Sequence, residues 1–355
     1  PPPKTIEPTI TSPPLTTEPT IQTRSENDGF QLELAALSFL SETVSVEVYR
    51  SQLLESESLF ITTATICKDL KSSPLRSPAA DLFATLAPFA PRKSAKDCFC
   101  AEAFVSIFGS MLNTAATECK GSQKKSRMTK IRSENKSASH PDLCTVLATA
   151  VSGLECIFDD GTAETKGDLI TSMSTLLLEL VKAVNQKKSY FPVKGQGLLA
   201  CNITSFFLSH LGDTQLTGKL LSHDLLIASI RLILLRNNAP QRGMEDILDD
   251  EAFMWKAAET HVLQYLSVLL RNDLLKEESG STLASLLEKA EAKLTGTTKL
   301  MPPPLGKRSI ESEEQESSPL ESEFIQVLRI IVGDATNSAG SVAASRLLRW
   351  ISFTL

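Results

Sequence analysis

The chain has 355 residues, of which 42% are hydrophobic and 6% aromatic, and it carries a formal net charge of -6. That is enough apolar material for a sizeable core, while the acidic balance argues against a broad positive face of the kind that grips nucleic acid. No apolar run reaches membrane-spanning length, and the opening residues do not read as a secretory leader. The expected setting is therefore the nucleus, the cytoplasm or both, with no membrane partner.

Residues 1–28, beginning PPPKTIEPTITSPPLTTEPT, are rich in Pro and Thr and cannot bury a core, so disorder is expected there. From Phe30 the texture changes. Leu34, Leu37, Leu40 and Val44 fall three and four apart, followed by Leu53, Leu54, Leu59, Ile66 and Leu70. This is helical periodicity, interrupted where Pro74 and Pro78 disfavour helix at and just before themselves. DLFATLAPFAP reads as a short helix and DCFCAEAFVSIFGSMLNTAATE as a longer one. The basic stretch KGSQKKSRMTKIR then runs into Ser- and Asn-rich residues, and 120–139 reads as a disordered insertion.

PDLCTVLATAVSGLECIF is a helix with Pro141 in its first turn, where the missing N–H costs nothing. DDGTAETKG reads as a loop, after which Asp168 is the expected cap of DLITSMSTLLLELVKAVNQ. Further helices follow in QGLLACNITSFFLSHLG, TGKLLSHDLLIASIRLILLRNN, the long MEDILDDEAFMWKAAETHVLQYLSVLLRND, and STLASLLEKAEAKL. Residues 298–320 read as a linker and 321–355 as the final helices. These finish on an uncapped apolar pattern, so a further helix is expected to cover Trp350, Ile351, Phe353 and Leu355.

No stretch alternates with the period of a strand, and the fold class expected is all-α. Some segments, such as Leu225–Leu235, are apolar nearly all round and must lie between neighbours. Helices joined by short turns pack antiparallel, and stacked pairs that share one core form an α-solenoid over residues 29–297. The helix pairs from Pro141 to Gln186 and from Gln196 to Asp273 resemble armadillo or HEAT repeats, at a spacing of roughly 40 residues. The resemblance implies a non-enzymatic scaffold or adaptor that binds protein partners on a curved surface. Nuclear scaffolds of this texture imply a nuclear, chromosomal or meiotic process. The surface expected to bind lies on the second helices of the pairs, around Leu176–Val184 and Leu225–Leu235. Two alternatives stand beside it: a nucleic-acid-associated helical array, with indirect contact to nucleic acid, and a regulatory domain of an enzyme complex.

The motifs that could carry chemistry are few. Seven cysteines, Cys67, Cys98, Cys100, Cys119, Cys144, Cys156 and Cys201, are irregularly spaced, mostly in apolar helical stretches, as small buried hydrophobes of a reduced compartment are. Cys98 and Cys100 form a C-x-C pair, but the four histidines, His140, His210, His223 and His261, lie far apart, and zinc sites show paired ligands at both ends. No metal is expected. KGQG (Lys194–Gly197) precedes a helix, whose N-terminus favours anions; no G-K-[ST] follows it, and a plain helix–helix turn is the simpler reading. The five acids of MEDILDDE (Met244–Glu251) suit the positive end of their own helix dipole. No G-x-S-x-G motif occurs, and no catalytic residue or cofactor is expected. The sequons at Asn135 and Asn202 read as chance matches.

Lys120, Lys124, Lys125, Arg127, Lys130 and Arg132 remain, six basic residues without an acid among them. With no interleaved aromatics the stretch has no platform for stacked bases. It fits a nuclear-import signal, a contact with phosphates alone, or a solvated loop. A second basic site, GKR (Gly306–Arg308), leans the reading toward the nucleus. Ser73, in the order Ser-Pro-Leu-Arg, matches a proline-directed kinase site, and Ser318 lies among the acids that acidophilic kinases prefer. Phosphate added at either position would change partner binding by its charge.

Overall fold

The computed structural model describes residues 30–68, 74–92, 99–128, 141–184, 190–211, 223–238, 249–271, 319–333 and 338–354. Every regular element among them is helical. In chain order these are α1 (Gln31–Thr43), α2 (Glu47–Glu55), α3 (Glu57–Lys68), α4 (Arg76–Leu86), α5 (Ala101–Met128), α6 (Leu143–Glu155), α7 (Ala163–Ala183), α8 (Gln196–Ser209), α9 (His223–Asn238), α10 (Asp249–Arg271), α11 (Pro319–Val332) and α12 (Ser338–Thr354). Short 3₁₀ turns follow α4 at Ala87–Phe89 and α6 at Phe158–Asp160. The expected disorder at 1–28, the helix at 281–294 and most of the linker at 298–320 lie outside the described residues.

The helices pack in an alternating order. α4 lies against α6, α6 against α8, α8 against α10 and α10 against α12. In parallel with this row, α3 lies against α5, α5 against α7, α7 against α9 and α9 against α11. Contacts between α3 and α4, α5 and α6, α7 and α8, α9 and α10, and α11 and α12 join the two rows. One hydrophobic core runs through both, from Leu37 to Leu347. The apolar breadth of α9 has its explanation here: every residue from Leu225 to Leu234 is buried, with α7, α10 and α11 packed around the helix.

Several helix boundaries depart from the local reading, among them that of α4, which begins at Arg76 within the expected break and not at Asp81. α7 begins at Ala163, within the segment read as a loop, and its cap is Thr162 rather than Asp168. The Thr162 hydroxyl accepts the Thr165 N–H at 3.2 Å, which satisfies one of the orphan donors of the first turn. Asp168 lies one turn further in and is exposed. α5 likewise outruns its expected end, so that Lys120–Met128 of the presumed disordered insertion is helical. Its buried stripe of Met111, Leu112, Ala115, Ala116 and Cys119 leads straight into this segment, and Lys, Gln and Arg are good helix formers that let the nucleated helix propagate. Residues 129–139 lie outside the described residues.

The N-terminal part of the core is aromatic. Phe60, Phe83, Phe99, Phe104 and Phe108 form one cluster, with Phe60 and Phe99 edge to face at 4.7 Å and Phe83 and Phe104 at 5.1 Å. Phe99 has a φ of 44°, in the left-handed region, so the helical reading of Phe99 and Cys100 is replaced by a bend that places the ring in the core before α5 starts at Ala101. α4, α5 and α6 meet closely beside this cluster. A Cβ at Gly153 would lie 2.9 Å from the Phe108 ring and 3.2 Å from the Ala84 Cα, so the close approach requires glycine.

Candidate functional site

Most of the residues around which a binding surface is expected are core, while Glu179, Lys182 and Val184 are half-buried. Leu176, Leu177, Leu178, Leu180 and Val181 of α7 and the whole of Leu225–Leu234 of α9 are buried. Packed between neighbouring helices, these apolar residues supply core. Width of the apolar stripe reported burial correctly, but it did not report a binding face.

The row α4, α6, α8, α10 and α12 presents a different kind of surface, on which Ser, Thr and Asn side chains bond from helix to helix, to carboxylates, a carbonyl and a histidine ring. Thr149 of α6 donates to the Asp81 carboxylate of α4 at 3.2 Å. Burial pushes the Asp81 carboxyl up, and the Thr149 bond pulls it back. Asn202 of α8 donates its amide to the Ala148 carbonyl of α6 at 2.9 Å. Ser209 of α8 reaches Glu155 of α6 at 3.0 Å, and Thr204 of α8 meets the His261 ring of α10 at 3.3 Å. Burial lowers the affinity of His261 for a proton, against the opposing influence of a hydrogen bond to the Cys201 carbonyl and of the Glu155 charge. Where α10 and α12 meet over the end of α8, the row opens into a groove of about 480 Å³. Leu208, Val268 and Val342 give it apolar walls, and Gln264, Ser267 and Arg346 add polar groups. None of these was singled out from sequence, because the groove residues come from three helices and are spread from Leu208 to Arg346.

The turn KGQG is an anion site that the protein itself fills. Gly195 takes a φ of 82°, the left-handed conformation that favours glycine. The N–H groups of Gly195 and Gly197 point at the start of α8, and both donate to the Glu251 carboxylate of α10, the first at 3.2 Å. A Cβ at Gly197 would stand 2.8 Å from the Glu251 carbonyl oxygen, so glycine is needed for α10 to approach this closely. One member of the acidic cluster MEDILDDE thus serves the positive end of a neighbouring helix and not only that of its own.

The remaining sequence candidates sort by burial. Cys67, Cys100, Cys119 and Cys144 are buried and Cys201 is half-buried, whereas Cys156 is exposed; all six carry free thiols. Burial pushes the Cys67 thiol up to about 12, and Cys119 and Cys144 are raised in the same way, the opposite of an activated nucleophile. Among the described residues no group of three or more His, Cys, Asp or Glu side chains could hold a metal ion. No helix among them is long and apolar enough to cross a membrane. Ser73 and Ser318 lie outside the described residues. Arg76, which the kinase pattern around Ser73 needs on the surface, is instead fully buried at the start of α4. Lys120 is exposed on α5; Lys124, Lys125 and Arg127 fall within the helical extension of α5, and Lys130 and Arg132 lie outside the described residues.

No protein-family model, curated protein sequence or solved structure matches this chain.

Proposed function

We propose that the chain is an α-solenoid scaffold, non-enzymatic, that binds protein partners along the α4–α6–α8–α10–α12 row. The single observation that carries this reading is the packing order from α3 to α12, in which each helix lies against the helix two places along the chain. Elements stacked in that way bury a continuous core while spreading a long surface on either side, as repeat proteins do. The surface of this row carries hydroxyl and amide groups beside charges of both signs, and it opens into the groove between α10 and α12. A peptide segment laid along it would meet hydrogen-bonding side chains and shallow apolar pockets.

The test is isolation of the tagged chain from cells, beside a variant carrying Val342→Asp and Arg346→Glu. Both side chains are exposed at the groove, so the melting temperature should hold to within about 0.5 kcal/mol of stability. A stoichiometric protein partner present with the parent chain and lost with the variant is the expected result. A partner retained by the variant, or nucleic acid in its place, would overturn the reading of this row.

The setting we propose is nuclear, with the basic stretch read by import machinery. Changing Lys124, Lys125 and Arg127 together to Ala should shift the tagged chain toward the cytoplasm with little loss of stability. The segment continues α5 and Ala is a good helix former. Unchanged distribution, or loss of a salt-sensitive affinity for DNA, would reject the import reading.

A further inference from the structure

The helix α1 carries, besides the stripe packed on the core, a second apolar stripe that is exposed. On its inner side Leu37 and Val44 are buried and Leu40 is packed against the core, which seats α1 on α4. On its outer side Leu32, Ala35, Ala36 and Phe39 recur at i, i+3, i+4 and i+7 and are all exposed, Leu32 to 78% and Phe39 to 64%. A lone exposed Leu would need no explanation. Four apolar residues in helical register, opposite a face already spent on the core, make a second stripe of the kind that pairs with another helix.

The charges around the stripe say what sort of helix. Glu33 and Glu42 stand roughly a quarter turn to either side of it, and α1 contains no Lys or Arg. The neighbouring helices add Glu47, Glu55 and Glu57, all at or near the surface. Arg50 of α2 is turned inward: its guanidinium stacks over the Phe89 ring at 3.9 Å and donates to the Val44 carbonyl. An apolar seam edged by acids on both sides is complementary to an apolar seam edged by Lys or Arg, the arrangement by which paired helices select partners.

We propose that the outer face of α1 docks a basic amphipathic helix of a partner protein. The inference rests on the scaffold reading and names the chemistry of one partner, at a face separate from the α10–α12 groove.

Two synthetic peptides of about three heptads test it, both with Leu on one stripe, one flanked by Lys and the other by Glu. Binding to the whole chain is followed by fluorescence anisotropy of the labelled peptide. The Lys peptide should bind at least about tenfold more tightly than the Glu peptide. Leu32→Ser with Phe39→Ser should abolish the binding at unchanged melting temperature, since both side chains are exposed. Glu33→Lys with Glu42→Lys should reverse the preference between the peptides. Binding of the Lys peptide that survives L32S/F39S would mean a diffuse attraction to an acidic chain and would overturn the proposal. So would absence of binding by either peptide, binding that appears only once residues 1–29 are removed, or self-association of the parent chain that L32S/F39S abolishes. Groove variants that lose their partner while the peptide still binds leave this inference standing; a groove partner retained by L32S/F39S, with no peptide bound, defeats this inference alone.

Discussion

Phe99→Ala should cost about 3–5 kcal/mol of stability, the range for removing a large buried aromatic side chain, measured by urea unfolding of the whole chain. The ring is fully buried and touches three others of its cluster, Phe60, Phe83 and Phe104. Its backbone sits at φ 44°, a conformation that costs a residue with a Cβ about 1–2 kcal/mol. The chain tolerates that strain because the same turn delivers the ring to the centre of the N-terminal core and starts α5. Phe99→Gly separates the two contributions. It removes the same ring without the Cβ penalty, so it should be more stable than F99A by up to about 1 kcal/mol. Phe89→Ala is the comparison: that ring is 48% exposed, and its loss should cost about 1 kcal/mol, mainly the stacked Arg50. F99A no more harmful than F89A would show that the left-handed turn is not an anchor.

The residues that sequence alone exposed, and those it hid, divide by how far apart their partners lie. Helical class was legible because a period of three to four is a local pattern, and the burial of α9 was legible because ten consecutive positions leave no polar face. The capping of α7 by Thr162 was obscured by Gly167, which reads as a break although it lies buried inside the helix. The extension of α5 was obscured by charge, which suggests solvation but does not oppose a helix already nucleated upstream. α1 defeated the stripe argument in a different way: it has two apolar faces, and periodicity does not say which of them finds the core. Arg76, the basic residue of Ser-Pro-Leu-Arg, is fully buried; nothing in those four residues distinguishes a recognition motif from the first turn of a packed helix. The groove between α10 and α12 and the bond from Glu251 to Gly195 join residues far apart in the chain, and no local pattern carries them.

Glu251→Ala should destabilise the chain by about 2–4 kcal/mol, because it strips two backbone donors of a charged acceptor at the positive end of a helix. The Gly195 and Gly197 N–H groups are oriented at the start of α8 whether or not an anion is present, and the half-buried Glu251 carboxylate reaches both from α10. Glu251→Gln keeps one accepting oxygen and should lose less, about 1–2 kcal/mol. The measurement that separates a lost anion from a lost side chain is rescue. Formate or sulfate should raise the melting temperature of E251A more than that of the parent chain, since only the variant leaves the helix terminus open to an added anion. Gly197→Ala supplies the coupling test. Its Cβ would meet the Glu251 backbone oxygen at 2.8 Å and Trp255 at 3.0 Å, so it forces α10 away from α8 and breaks the same bonds by another route. The double variant should therefore cost less than the sum of the two single ones, as residues that share one contact do. An E251A chain that melts with the parent and ignores added anions would mean that α8 and α10 are held by their apolar contacts alone.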